Sequence, residues 1–281
     1  MENKATELKL EVLMSVMHCE GFSIAEKTHI KGDVLIINQC DRDGYEEKQT
    51  EDGLWRMISV NERGLSKSRN MALDNAHGDI VLICDDDEEL AKDYKEIILN
   101  AYKELPDAAA IVFNINRINY KMKKTYYRIS KVRKAPAYRG YSSQMLTVRL
   151  SKINEHNIRM NENFGSGTQW GGGEEILFQD DIRRNKMRIY EHPGVIATID
   201  YGNGSNWFTG YDEKYFYNLG AFIQYKFKKN FILKELRCMF TCYRLRREKK
   251  LGFFKKMKWM RNGMKGIKKG ITYAEFIKNQ K

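Results

Sequence analysis

Apolar positions in the first two thirds of this chain come in short, nearly unbroken runs separated by polar stretches with helical periodicity. Residues 10–17, Leu-Glu-Val-Leu-Met-Ser-Val-Met, read as a first strand, and Asp33 to Asn38 as a second that ends in polar residues. Residues 56–60 give a short third strand. Ser66 to Ala76 is predicted helical, with Ser66 as N-cap and Gly78 closing it. Asp79 to Cys84 is a fourth strand running straight into Asp85-Asp86-Asp87. A helix over 91–104 ends before Pro106, and a strand follows at Ala109–Ile115. Residues 117–149 are basic and tyrosine-rich without clear period, and read as irregular hairpins. Phe164 to Gly173 is a glycine-rich loop expected to be flexible, Glu174–Arg184 a helix, and Val195–Ile199 a short strand. Strands that are apolar throughout and alternate with helices predict an α/β domain with a mostly parallel sheet. Ligands of such sheets sit beyond the carboxyl ends of the strands, where the acidic triplet stands.

The pattern changes near the end. In Phe231–Arg247, Ile232, Leu236, Met239, Phe240 and Tyr243 fall on one helical face, with Lys234, Arg237, Arg244 and Arg247 mostly elsewhere. Leu251–Met264 interleaves Phe253, Phe254, Met257, Trp259 and Met260 with lysines and Arg261. Charge sharpens this division. Of a net +12, the stretch Tyr225–Lys281 carries 19 Lys/Arg against 3 Asp/Glu, so the remainder of the chain is mildly acidic. The expected organisation is a catalytic-type domain over 1–215 and a basic amphipathic helical extension over 216–281. Five cysteines without Cys-x-x-Cys spacing, and an opening with no basic-then-apolar leader, predict reduced thiols in a cytoplasmic protein.

A carboxylate run after a buried strand is costly unless a positive charge lies close. Mg²⁺ or Mn²⁺, which takes oxygen ligands from one or two carboxylates and substrate phosphates, would supply it. A solvated acidic loop leading into the next helix is the alternative. Upstream, Gly64-Leu-Ser-Lys-Ser-Arg-Asn places Lys67 and Arg69 in a first helical turn, where basic residues oppose the helix dipole. An anion such as a diphosphate would account for them, and so would pairing of Arg69 with Asp85 or Asp87.

Ser68-Arg69-Asn70, an apolar helix, Gly78-Asp79, a strand and then Asp85-Asp86-Asp87 together resemble the central motif of family-2-type GT-A glycosyltransferases. The match looks nearest to the branch that makes bacterial capsular and other surface polysaccharides, and spans roughly residues 8–215. The resemblance implies a GT-A fold and transfer from a nucleotide-sugar, most simply a UDP-sugar, to a saccharide or lipid-linked acceptor. It implies that Asp85 faces the ribose, that Asp87 with Asp85 holds Mn²⁺ or Mg²⁺, and that Asp86 lies within the donor site. Arg69 and Asn70 match the element beside the nucleotide and diphosphate. Gly173-Glu174-Glu175 resembles the family's Gly-Glu-Asp, which makes Glu175 the candidate general base, with Glu174 beside it. An inverting transfer needs one such carboxylate opposite the leaving diphosphate, and the glycine loop before it could close over the donor.

The sequence also departs from the family. Asn38-Gln39 stands where the family has a uracil-contacting acidic pair, so amides would have to read the base. Ser15 is the donor candidate in a first strand that lacks the usual Pro-Thr. His192 precedes Pro193 and reads as structural. Trp170 and Trp207 are candidate stacking surfaces for an acceptor sugar.

The basic extension fits docking on an anionic membrane surface, the inner face of the cell membrane; the alternative is a helical pair packed on the body with its basic face solvated. A nucleic-acid partner is not expected, since no zinc spacing or RNA-recognition consensus accompanies the charge. Two rival functions stay open at this point. A sugar nucleotidyltransferase would need an N-terminal glycine-rich loop with Arg and Lys between Met14 and Gly32, which is lacking. A non-catalytic binding module would leave the triplet and the Glu pair unexplained.

Overall fold

The computed structural model describes residues 7–120, 127–202, 210–228 and 230–280. It divides into two compact units, one within Met1–Glu162 and Glu174–Gly204, the other within Asn163–Gly173 and Ser205–Lys281.

The first unit contains, in chain order, β1 (Leu10–Met17), α1 (Ser23–Lys27), β2 (Asp33–Gln39), β3 (Gly44–Gln49), β4 (Leu54–Val60), α2 (Leu65–Asn75), β5 (Ile80–Cys84), β6 (Glu88–Leu90), α3 (Tyr94–Glu104), β7 (Ala108–Ile118), β8 (Arg133–Lys134), β9 (Leu146–Arg149), α4 (Leu150–Glu155), α5 (Glu174–Arg184) and β10 (Arg188–Asp200). One sheet runs β3-β4-β2-β1-β5-β9-β7-β10-β6, with β8 paired to β10. The run β4-β2-β1-β5 is parallel, as is β7 with β10, and β9 enters antiparallel between β5 and β7. The apolar runs are buried as expected: Val34–Ile37 and Ile80–Cys84 lie in the core. Strands β1, β2, β4 and β5 all end on the same side. The start of β9 meets the end of β5 there, because it runs the other way.

Several bounds differ from the pattern reading. Helix α2 begins at Leu65 after Gly64, whose φ of +128° suits only glycine, and no side chain caps it. Ser66 is therefore an interior, buried residue rather than the N-cap. Strand β3 was not expected because all six of its residues are exposed and carry no apolar alternation. Strand β10 spans 13 residues, where the pattern marked only Val195–Ile199, since register shifts carry it past Pro193 and Gly194.

At the far end of the sheet, Glu11 is buried and accepts bonds from Arg56 (2.6 Å) and from the backbone N–H groups of His77 (2.5 Å) and Gly78 (2.9 Å). Removing the cation from a buried pair leaves an uncompensated charge. Arg56→Met is expected to destabilise the protein toward the lower end of the roughly 3–5 kcal/mol typical of such losses, because Glu11 keeps its two backbone donors. A urea midpoint compared with that of the double variant Glu11→Gln/Arg56→Met checks this. The double variant should recover part of the loss.

The second unit contains α6 (Glu213–Phe227), α7 (Phe231–Arg244), α8 (Phe253–Lys269) and α9 (Tyr273–Lys278). Gly220 and Gly263 let α6 and α8 meet backbone to backbone, since a Cβ on either would overlap main-chain atoms of the facing helix. The glycine-rich loop is anchored rather than free. Phe164 is fully buried and packs on Trp170, Phe222 and Tyr225, with centroids 5.9, 6.3 and 5.4 Å away. A Cβ on Gly173, whose φ is +96°, would lie 2.7 Å from the Phe222 ring.

Candidate active site

Three elements of the first unit deliver carboxylates and one guanidinium to the carboxyl ends of the strands. Strand β5 ends at Cys84, and Asp85 to Glu88 then make a tight turn. In it the Glu88 N–H donates to the Asp85 carbonyl (3.4 Å), and the Asp85 N–H donates to Glu88 Oε1 (2.8 Å). The side chains of Asp86 and Asp87 stand exposed at its tip. Helix α2 contributes Arg69, which is only 4% exposed and donates to Asp85 Oδ1 (2.8 Å), Glu174 Oε1 (3.2 Å) and Ser143 Oγ (3.0 Å). Helix α5 contributes Glu174 and Glu175 in its first turn, as its acidic start predicted. One guanidinium therefore joins the strand-end turn to the Glu pair.

The electrostatics follow from this arrangement. Burial works against the charge of Arg69, but Asp85 and Glu174 outweigh it and hold its pKa above the ordinary value. Asp87, although its side chain reaches solvent, is raised by partial desolvation and then by Asp85 and Asp86. Burial also pushes Glu88 well above the usual carboxylate range. Glu175, half-buried by its own surface, is pushed up to about 8 by desolvation and by the neighbouring Glu174. A carboxyl poised there suits proton transfer near neutral pH. Glu174 is buried against Arg69 and holds that residue in place, so the two acids have different surroundings.

The crowded turn is the test of whether a metal fits. Among the described residues no three His, Cys, Asp or Glu side chains converge as a complete site. Asp87 and Asp85 supply hard oxygen donors with excess negative charge around them. That is a partial set of the kind Mg²⁺ and Mn²⁺ complete with substrate phosphates.

Other candidates sit differently. Asn38 is buried and its amide is fully engaged: Oδ1 accepts from the Cys19 N–H (2.9 Å), and Nδ2 donates to the Cys19 carbonyl (2.8 Å) and Ser59 Oγ (3.3 Å). It ties down the loop after β1, and with both amide N–H groups spent and only 1% of its surface exposed it does not present itself to a base, which corrects the expectation for it. Gln39 Oε1 accepts from the Gly64 N–H at 2.8 Å, fixing the start of α2. The Gln39 side chain also lines a groove with Glu62, Arg63, Lys67 and Ser68. Asn70 is likewise engaged, exchanging bonds with the Met160 backbone (2.9 and 2.7 Å) and reaching Glu162 (3.2 Å). Its amide holds the chain beside α2 rather than facing a diphosphate. Ser15 Oγ is buried with no hydrogen-bond partner in the structure. Lys67 pairs with Glu62 at 2.5 Å. Trp170 is 4% exposed, its ring packed on Phe164, so it offers no open face to a sugar, contrary to expectation. Trp207 lies outside the described residues. His192 packs on Phe113 with its ring tilted (centroids 5.1 Å apart), and its Nδ1 accepts from the Gly194 N–H, a structural place in keeping with its reading.

Three residues had no assigned role from sequence. Ser143, the third partner of Arg69, sits in an irregular basic stretch with no signal of its own. Glu88 adjoins the triplet but carried no separate signal. Gln179 bonds both the N–H and the carbonyl of Tyr141 (3.1 and 2.7 Å), which sets the rotation of α5 about its axis.

The sequence profile described as glycosyl transferase family 2 matches residues 22–178, more than half of the chain. The chain belongs to glycosyl transferase family 2. No curated protein matches it. Solved structures with the same GT-A fold include residues 1–349 of TarS from S. aureus in complex with UDP-GlcNAc. That structure has TM-score 0.58 at 12% identity, with 95% of this chain and 93% of that one covered. Another crystal structure of TarS 1–349 gives 0.56 at 14%, covering 80% and 66%. GalNAc-T7 with UDP, GalNAc and Mn²⁺ gives 0.52 at 13%, covering 77% and 48%. The chain spans 44% of the longer TarS structure. At these identities the likeness establishes the fold, and family membership establishes the glycosyltransferase class.

Proposed function

We propose that this protein transfers a sugar from a UDP-sugar to a saccharide or lipid-linked acceptor, with inversion, in cell-surface polysaccharide synthesis, working in the cytoplasm on the inner face of the membrane. The observation that carries this reading is the Arg69 bridge, which joins Asp85 of the strand-end turn to Glu174, the neighbour of Glu175. Relatives of the same fold hold UDP, UDP-GlcNAc, or UDP with Mn²⁺, which supports both a uridine nucleotide and a divalent ion as partners here.

In the proposed reaction the acceptor hydroxyl oxygen attacks the anomeric carbon from the side opposite the diphosphate. Its proton passes to a carboxylate oxygen of Glu175. The bond from the anomeric carbon to the diphosphate oxygen breaks, and its electron pair leaves on the diphosphate. Mn²⁺ or Mg²⁺ held by Asp87 and Asp85 would supply neutralisation of that departing charge. Arg69 and Glu174 are positioning residues: they hold the turn and the first turn of α5 in register.

The test is calorimetric binding of UDP and a panel of UDP-sugars with and without Mn²⁺, together with slow donor hydrolysis. Asp87→Ala is expected to weaken Mn²⁺-dependent nucleotide binding by at least the roughly 10–100-fold that loss of a supporting group alone costs. Unchanged metal-dependent binding in this variant would remove Asp87 from the proposed site.

A further inference from the structure

Helix α7 is built inside out for a water-soluble surface. Its buried face carries Lys234, Cys238, Thr241 and Cys242. The stripe Ile232, Leu236, Met239, Phe240 and Tyr243 is exposed instead, from 50% at Met239 to 69% at Ile232, and Phe254 at the start of α8 is 85% exposed. Lys234 is turned inward by specific bonds, its Nζ donating to Gln224 Oε1 (2.9 Å) and the Lys228 carbonyl (2.8 Å). Of the alternatives the sequence left open, the apolar stripe does not face the core of its own unit. A contiguous exposed stripe of this kind marks an interaction surface.

Its border identifies the partner. Arg237 lies over the Phe240 ring (5.7 Å) and Arg246 over the Tyr243 ring (4.4 Å), so guanidinium groups rim the stripe directly. The turn into α8 adds Arg247, Lys249 and Lys250, all exposed. The whole stretch Tyr225–Lys281 carries 19 basic against 3 acidic residues. A second copy of this chain would bring like charge to like charge, whereas an anionic lipid surface complements both the stripe and its rim. The helix, 14 residues and about 21 Å long, is too short to cross a bilayer, and no helix of the described residues is long and apolar enough to do so.

We infer that the outward face of α7, with Phe254 beside it in sequence at the head of α8, is the docking surface by which this protein lies on an anionic membrane. The inference specifies the membrane setting proposed above, but it is independent of the chemistry at Arg69 and Glu175. Its consequence for that chemistry is that the active unit would meet acceptors that are themselves held in the bilayer.

Flotation of the full-length protein with phosphatidylcholine vesicles, with and without phosphatidylglycerol, tests it. The wild type should float with the anionic vesicles, be released by salt, and bind neutral vesicles far more weakly. The triple variant Ile232→Ser/Leu236→Ser/Phe240→Ser changes only exposed side chains, so its melting curve should be unaltered. It should lose at least about tenfold in partitioning, since each apolar side chain left in water costs about that factor. Arg237→Glu/Arg246→Glu should lose a similar factor and weaken the salt dependence. Wild-type partitioning in the triple variant, or equal binding to neutral vesicles, would overturn the inference. So would a wild-type dimer that the triple variant converts to monomer without any lipid binding, which would assign the face to a second copy. Mn²⁺-dependent UDP-sugar binding in solution should survive in both variants. If that binding is absent while flotation persists, the proposed donor reading fails and the docking surface stands.

Discussion

Replacing Glu175 by Gln is expected to lower the transfer rate by about 10²–10⁴-fold, the usual worth of a positioned general base, while leaving UDP-sugar affinity within a factor of a few. The side chain keeps its size and its place in the first turn of α5, so the fold has no reason to change. The pH profile separates this role from a structural one. With Glu175 pushed up to about 8, the wild-type rate should rise with pH through that value, because only the deprotonated carboxylate accepts the acceptor's proton. The glutamine variant should lose this limb and keep a low, flat rate. Stability should move the opposite way in the wild type. The folded state binds a proton that the unfolded chain releases near 4.5, so Glu175 subtracts stability progressively as pH rises from about 4.5 to about 8. The variant should therefore be the more stable protein above pH 8. A rate that falls only a few-fold, with the pH limb intact, would move the base elsewhere.

The same helix shows which features the sequence made legible. Glu174-Glu175 at its start and Arg183-Arg184 at its end frame α5 at the residues the sequence reading named, because charge complements the helix dipole at both ends. The buried parallel strands β1, β2 and β5 were equally plain, each an apolar run longer than a surface strand tolerates. Strand β9 was not: Leu-Thr-Val-Arg is too short to show a period, and its place between β5 and β7 is decided by pairing partners far along the chain. Candidate chemistry divided in the same manner. Residue type and strand-end position marked the triplet Asp85-Asp86-Asp87, and the family resemblance named Asp85 and Asp87 within it. What Asn38 and Asn70 bond to could not be read from their neighbours, and both amides turn out to be committed to backbone groups, in the case of Asn70 90 residues away. Long-range hydrogen bonding leaves no local pattern, so polar residues near a site are harder to assign than the carboxylates whose charge demands a partner.

Arg69 is where that long-range pairing has its largest consequence. It lies 105 residues from Glu174 and 16 from Asp85, and it is the cation that bridges both. Arg69→Met should therefore destabilise the protein by roughly 3–5 kcal/mol, since Asp85 and the buried Glu174 would then face each other without compensation. Urea denaturation of Arg69→Met beside Arg69→Met/Glu174→Gln isolates the cause: removing the stranded carboxylate should restore a large part of the loss, whereas a mere packing defect would not recover. Arg69→Lys should fold more nearly normally and still fail functionally. A lysine ammonium is a point charge and does not span two carboxylates and Ser143 as the guanidinium fork does. The effect should reach Glu175 as well. Arg69 is the positive charge that lowers its pKa against burial and Glu174, so in Arg69→Lys variants that retain measurable turnover the rising limb of the pH profile should shift upward. Glu174→Gln should shift it downward, because it takes away the charge that opposes deprotonation. Opposite shifts from two residues that touch each other, neither placed to accept the acceptor's proton, would show that the bridge tunes the base as well as holding the fold. Identical profiles in both variants would leave Arg69 and Glu174 with a purely structural role.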